Sequence, residues 1–145
     1  MGYQALVHAD DFHGTERSQM KDQVRLLQNM VEALSEMNQR FLEDHRKKTD
    51  KHFPGIYETA PRFGRSMDDT WRDIPTITAQ HIASHTDLAC WRIAELRHFG
   101  INASPVVGFT NGVCGLRVRI KDANGVHFED VAAELNALAR DWHIL

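Results

Sequence analysis

From Thr15 to about Lys48, apolar residues return every three or four positions: Val24, Leu27, Met30, Val31, Leu34, Met37 and Phe41, with charged and amide side chains between them. That period puts them on one side of a helix and predicts a single long one. Thr15 and Ser18 offer caps at its start, and Arg46-Lys47-Lys48 suits the negative end of its dipole. The stripe reads as core, while its methionines leave an adaptable binding face open as the other reading. A second helical pattern holds Leu88, Trp91, Ile93 and Leu96. Ser84 stands as its N-cap, Asp87 three places on can reach back to the open amides, and Gly100 followed by Ile101 ends it. This predicts a buried helix from about His85 to Phe99.

Between these two, His52-Phe53-Pro54-Gly55 reads as a turn, and Ile56–Phe63 as an extended segment that Pro61 limits to an edge or a loop. Gly64–Thr70 is a polar connector. Trp71-Arg72-Asp73-Ile74-Pro75-Thr76 opens a short helix, capped by Asp73 and with Pro75 in its first turn, that should run to about Ile82. After Gly100 the period falls to two. Ala103–Phe109 is rich in Val and Pro, Asn111-Gly112 is a hairpin signal, and Val113–Lys121 alternates. In that strand Leu116, Val118 and Ile120 share one face, and Arg117, Arg119 and Lys121 the other. Asp122-Ala123-Asn124-Gly125 is a second turn and Val126–Glu129 a short strand. Asp130 then caps a last helix with Val131, Leu135 and Leu138 facing inward. Helices, an antiparallel meander and a closing helix make an α+β chain, with the central helix packed on a small sheet. Met1–Gly14 has no clear period and is either an arm on a partner or a loose terminus; residues 15–145 read as one domain.

The composition is that of an ordinary globular chain: 145 residues, 42% hydrophobic and 26% charged. A net charge of −3 argues against a general nucleic-acid binder, and no apolar run is long enough to span a bilayer. Met1–Asp11 lacks the basic-then-apolar pattern of a signal peptide, and two cysteines, Cys90 and Cys114, do not make a disulfide framework. Reduced thiols in a cytoplasm are the expectation.

Three stretches together resemble a family: Tyr57-Glu58-Thr59-Ala60-Pro61-Arg62, then Trp71-Arg72-Asp73-Ile74-Pro75-Thr76, then Asp87-Leu88-Ala89-Cys90-Trp91-Arg92-x-Ala94-Glu95-Leu96-Arg97 with Gly100-Ile101. They look like the transglutaminase-like, papain-fold cysteine peptidase-like proteins found among the structural genes of tailed bacteriophages, over about residues 25–135. In active members a Gly-Asp-Cys-Glu-Asp-Leu-Ala pattern sets a nucleophilic cysteine at the start of the central helix, where the dipole favours the thiolate. A histidine on a following strand is the base, and an acidic residue on the next strand orients it. In this chain the cysteine position is His85, the acidic residue before it is Ser84, and His81 and Ile82 stand where the glycines would be; Asp87 is retained. The base position falls near Leu116 or Arg117, and Asp130 matches the third member. The resemblance therefore implies a degenerate member without nucleophile or base, with His85, Asp87, Cys114 and Asp130 as relic-site candidates. It implies a virion protein assembled in the bacterial host cytoplasm. Such a protein would be non-catalytic, would use no cofactor, and would work through contacts with other phage structural proteins as a homo-oligomer.

Other readings stay open on the same residues. Cys90, five residues after His85, reads as a small buried hydrophobe. Cys114 could pair with His85 in exchanged roles. His81 and His85, four apart, could hold zinc with Cys114 or His127 if one helix ran through both, although Ser84 interrupts it. Either arrangement would make the chain a divergent cysteine or metal-dependent amide hydrolase or transamidase. Arg117, Arg119 and Lys121 are a solvated face or a contact for DNA or an acidic partner. A third reading is an intracellular adaptor that binds a partner helix along Val24–Phe41.

Overall fold

The computed structural model describes residues 15–68, 70–110 and 113–144. The arm expected over 1–14 and the Asn111-Gly112 turn lie outside the described residues. The first element is α1, Thr15–Thr49, 35 residues long as the stripe predicted, and so about 50 Å from end to end. It stops where Asp50 takes a left-handed conformation (φ 56°), donates its amide to Arg46 O at 2.9 Å, and accepts the Arg46 guanidinium on its own carbonyl. Its buried line is Leu27, Val31, Leu34 and Leu42, together with Ser35 and Asn38; Val24 and Phe41 pack against it half-buried. Met37, expected in that line, is 53% exposed. At 100° per residue it stands well round the helix from the contact with the core, and Asn38 occupies the inward position instead.

The segment expected to be extended is helical. Ile56–Thr59 form α2 and Ala60–Arg62 a single 3₁₀ turn. Two causes outweigh the extended reading. Ile56 and Ala60, four apart, both drop fully into the core, and Glu95 from a distant helix caps the Ile56 amide at 3.0 Å. Pro61, which limits a strand, is well suited to the first turn of the 3₁₀ piece. The connector then forms a two-residue strand β1, Gly64–Arg65, parallel to β2, Ile82–Ala83. Between them lies α3, Ile74–Gln80, with Asp73 as N-cap (its carboxylate accepts the Thr76 amide at 3.0 Å). It ends two residues before the expected Ile82, because His81 turns left-handed (φ 57°) and frees the chain to pair with β1.

The central helix α4, His85–His98, has the expected boundaries and both expected ends. Ser84 and Asp87 form a reciprocal capping box. At the other end Gly100 (φ 80°) donates to Arg97 O and Ile101 to Leu96 O, each at 2.9 Å, which is a Schellman ending. Thr86–Trp91, Ile93, Ala94 and Leu96 are all buried, so α4 has almost no solvent face. It touches α1, α2, β2, the larger sheet and the last helix. That sheet is antiparallel in the order β3 (Asn102–Thr110), β4 (Val113–Asp122), β5 (Gly125–Glu129). Its inner face carries Ala103, Pro105 and Val107 opposite Ile120, Val118 and Leu116. Pro105 is tolerated because β3 is an edge strand of this sheet. The last helix, α5 (Val131–Ile144), buries Val131 and Leu135. Leu138, expected beside them, is exposed.

Candidate functional site

The start of α4 is where the sequence places its candidate chemistry, and of its candidate side chains there Ser84 and Asp87 are engaged, with one exception. Ser84 Oγ accepts the Asp87 amide at 3.2 Å, and Asp87 Oδ2 accepts the Ser84 amide at 3.0 Å. Asp87 Oδ1 accepts the backbone amide of Arg72 at 2.9 Å, and the Arg72 guanidinium lies 3.6 Å from the other oxygen. Asp87 is fully buried. Burial raises its carboxyl above the ordinary range, against the Ser84 and Arg72 amides and the Arg72 charge, which pull the other way. Its position is that of a brace between the helix start and the loop before α3.

Arg72 completes the brace. It is itself buried, grips Asp68 through two bonds of 3.1 and 2.9 Å, and donates from Nε to Gln80 at 2.9 Å. That fork holds the Asp68 carboxyl low, at about 2, helped by the Ser66 hydroxyl. The exception at the helix start is His85, which is exposed and has no hydrogen bond or ion pair to the described residues.

Among the described side chains, the candidate residues are not brought into one constellation. His81 and His85 lie on different elements, with β2 between them, so the helical alignment a shared metal would need does not form. His81 packs edge-on against Phe63 with ring centres 5.5 Å apart. Cys90 is buried, donates its thiol toward Val31 O at 3.6 Å, and is pushed far above the usual thiol range by that burial, outweighing the pull of Ser35. Cys114 is placed by its backbone alone, opposite Phe109 in the β3–β4 ladder; its side chain lies outside the described residues. Asp130 is exposed and caps α5, accepting the Ala133 amide at 3.2 Å. Its neighbour Glu129 reaches α4 at Arg92, about 10 Å further along the helix axis than His85. Among the described residues no group of three or more His, Cys, Asp or Glu is placed to hold a metal ion. Arg117, Arg119 and Lys121 face away from α4, with Phe128 across from Arg119.

A second polar cluster was not read from the sequence. Arg92 bonds Glu129 at 2.8 Å from Nε and Glu95 at 2.8 Å from Nη1, and its guanidinium lies 4.9 Å from the centre of the Tyr57 ring. Tyr57 donates its hydroxyl to Glu129, and burial with that carboxylate drives its phenol well above the ordinary value. Arg97 similarly ties Glu32 of α1 to the carbonyl of Ala103, at 3.1 and 2.8 Å. Tyr57, Arg72, Asp87, Arg92, Glu95 and Arg97, all within the stretches that carry the family resemblance, are thus the struts that join α4 to its neighbours. Their spacing in sequence was visible; their partners, up to 72 residues away, were not.

Comparison of the chain with protein-family models, with curated proteins and with solved structures finds no match in any of the three. No helix among the described residues is long and apolar enough to cross a membrane.

Proposed function

We propose that this chain is a non-catalytic structural protein of a tailed-bacteriophage particle, a degenerate transglutaminase-like module that works by binding copies of itself and neighbouring virion proteins. The observation that carries the contact role is a second apolar line on α1. Leu26 (51% exposed), the half-buried Met30, the exposed Ala33 and Met37 (53% exposed) follow one another at steps of four, three and four. That is the seam spacing of helices that pack side by side, on a face turned away from the buried Leu27–Val31–Leu34 line. One helix therefore serves the core with one face and offers the other. Support for the family half of the proposal is the motif resemblance in the sequence. Support for the non-catalytic half is that Asp87 is committed to the brace and the Cys90 thiol is held protonated in the core.

Sedimentation and light scattering over a concentration series test the contact role. Wild type should self-associate, and Met37→Glu should shift it toward monomer with unchanged circular dichroism. A wild-type chain that stays monomeric throughout, with fast amide exchange along Leu26–Met37, overturns it. Amide hydrolysis or transamidation that disappears on His85→Ala or Cys114→Ser overturns the non-catalytic half.

A further inference from the structure

The loop after α1 and the last turn of α4 bring two imidazoles face to face. His52 Nδ1 and His98 Nε2 are 3.1 Å apart, from residues 46 positions apart in the chain. The ring centres are separated by 5.2 Å and the planes cross at 75°. Phe99 packs on His52 with ring centres 4.9 Å apart and on His98 at 5.2 Å, which holds both rings on one patch. The cluster lies apart from the helix start that carries His85 and Asp87, and the sequence pattern gave it no role.

We infer that His52 and His98 form a two-imidazole chelate for a divalent transition ion of the zinc, nickel or copper kind. With metal–nitrogen bonds of about 2.0–2.1 Å, two ligands at roughly 90–110° stand about 2.9–3.4 Å apart, and the observed separation falls in that range. Imidazole nitrogens suit these ions, and the rings lie at the surface, so water can fill the remaining positions. Without metal, one ring donates N–H to the other. On binding, that proton moves through solvent to the far nitrogen of the same ring. His52 is then protonated at Nε2 and His98 at Nδ1, both stay neutral, and both facing lone pairs go to the ion. The chelate would tie the α1–α2 loop to the end of α4, so binding should stabilise the fold.

The test is a titration of the full chain with Zn²⁺ alone, followed by imidazole proton resonances and by thermal midpoint. One equivalent should move the His52 and His98 signals together and raise the midpoint. His98→Gln and His52→Gln should each weaken binding by roughly tenfold or more, since each removes the chelate, while His81→Gln should leave it unchanged. The inference is overturned if zinc does not bind, or if it binds equally well to His98→Gln, which would leave the pair as a simple N–H···N hydrogen bond. It is overturned as well if His81→Gln is the variant that abolishes binding. Met37→Glu leaves both rings in place, so this result is independent of the self-association test.

Discussion

A buried arginine between two aspartates is the residue-scale feature that most needs a physical account. Arg72 faces Asp68 at the surface and Asp87 in the interior, and the two carboxyls are driven in opposite directions. Asp68 is held at about 2, below its unfolded value of 3.8. Its contribution to stability is therefore complete above 3.8 and is lost as pH falls toward 2. Asp87, with a raised carboxyl, works in the opposite sense, because the folded state takes up its proton more readily than the unfolded one. The two can be separated. Urea unfolding between pH 5 and 2, taken as about the span of carboxylate titration, should show wild type losing stability on acidification. Asp68→Asn should lose less over the same span. Parallel curves for the two proteins would mean that the Arg72–Asp68 fork is not coupled to folding.

At the scale of the element, α4 shows how local signals and burial agree. Its start is closed by Ser84 and Asp87, and its end by Gly100 at φ 80°. No atom lies within 4 Å of where a Cβ on Gly100 would sit, so the only cost of a side chain there is the left-handed backbone. Gly100→Ala should destabilise the chain by about 1–2 kcal/mol. Gly108→Ala, equally uncrowded but in a strand without positive φ, should be neutral or slightly stabilising. Chemical denaturation of the pair checks this, and equal effects at the two sites would remove the Schellman ending as the reason for Gly100. In α2, by contrast, the local signal pointed to an extended segment and lost to the Glu95 cap and to burial of Ile56 and Ala60.

Across the whole molecule, α4 is the hub, and charged struts rather than apolar contacts alone set how its neighbours attach. Arg92 joins it to β5 through Glu129 and, via Glu95, to the first amide of α2. Arg97 joins it to α1 and to β3. The Arg92 and Glu95 side chains are mostly buried (20% and 12% exposed), so removing the cation leaves two carboxylates poorly solvated. Arg92→Met should cost roughly 2 kcal/mol. Arg25→Met, which breaks an exposed pair with Asp22, should cost under about 0.5 kcal/mol. Urea midpoints at constant slope measure both, and a small Arg92 effect would show that packing alone docks β5.

Element identity was legible wherever side-chain period and end signals were local. The long α1, the cap and ending of α4, the two-faced strand at Leu116–Lys121 and the Asp130 cap all follow from residues a few positions apart, because helix and strand geometry act over that range. Met37 and Leu138 were misplaced because a period says which residues share a side, not how wide a strip of it the neighbours will cover. The same limit applies to the site. Asp87 could be read as a capping residue, but its role as the brace for Arg72 depends on a loop 15 residues back. Nothing local ties Tyr57 to Glu129 or His52 to His98, since those pairs exist only after α4 has been buried on every side. The sequence by itself determined the elements whose period and end signals are local, α1 and α4 above all; tertiary structure decided that Ile56–Arg62 is helical and which polar groups became partners, because burial of Ile56 and Ala60 outweighs local preference and desolvation makes a buried charge stable only where a distant residue answers it.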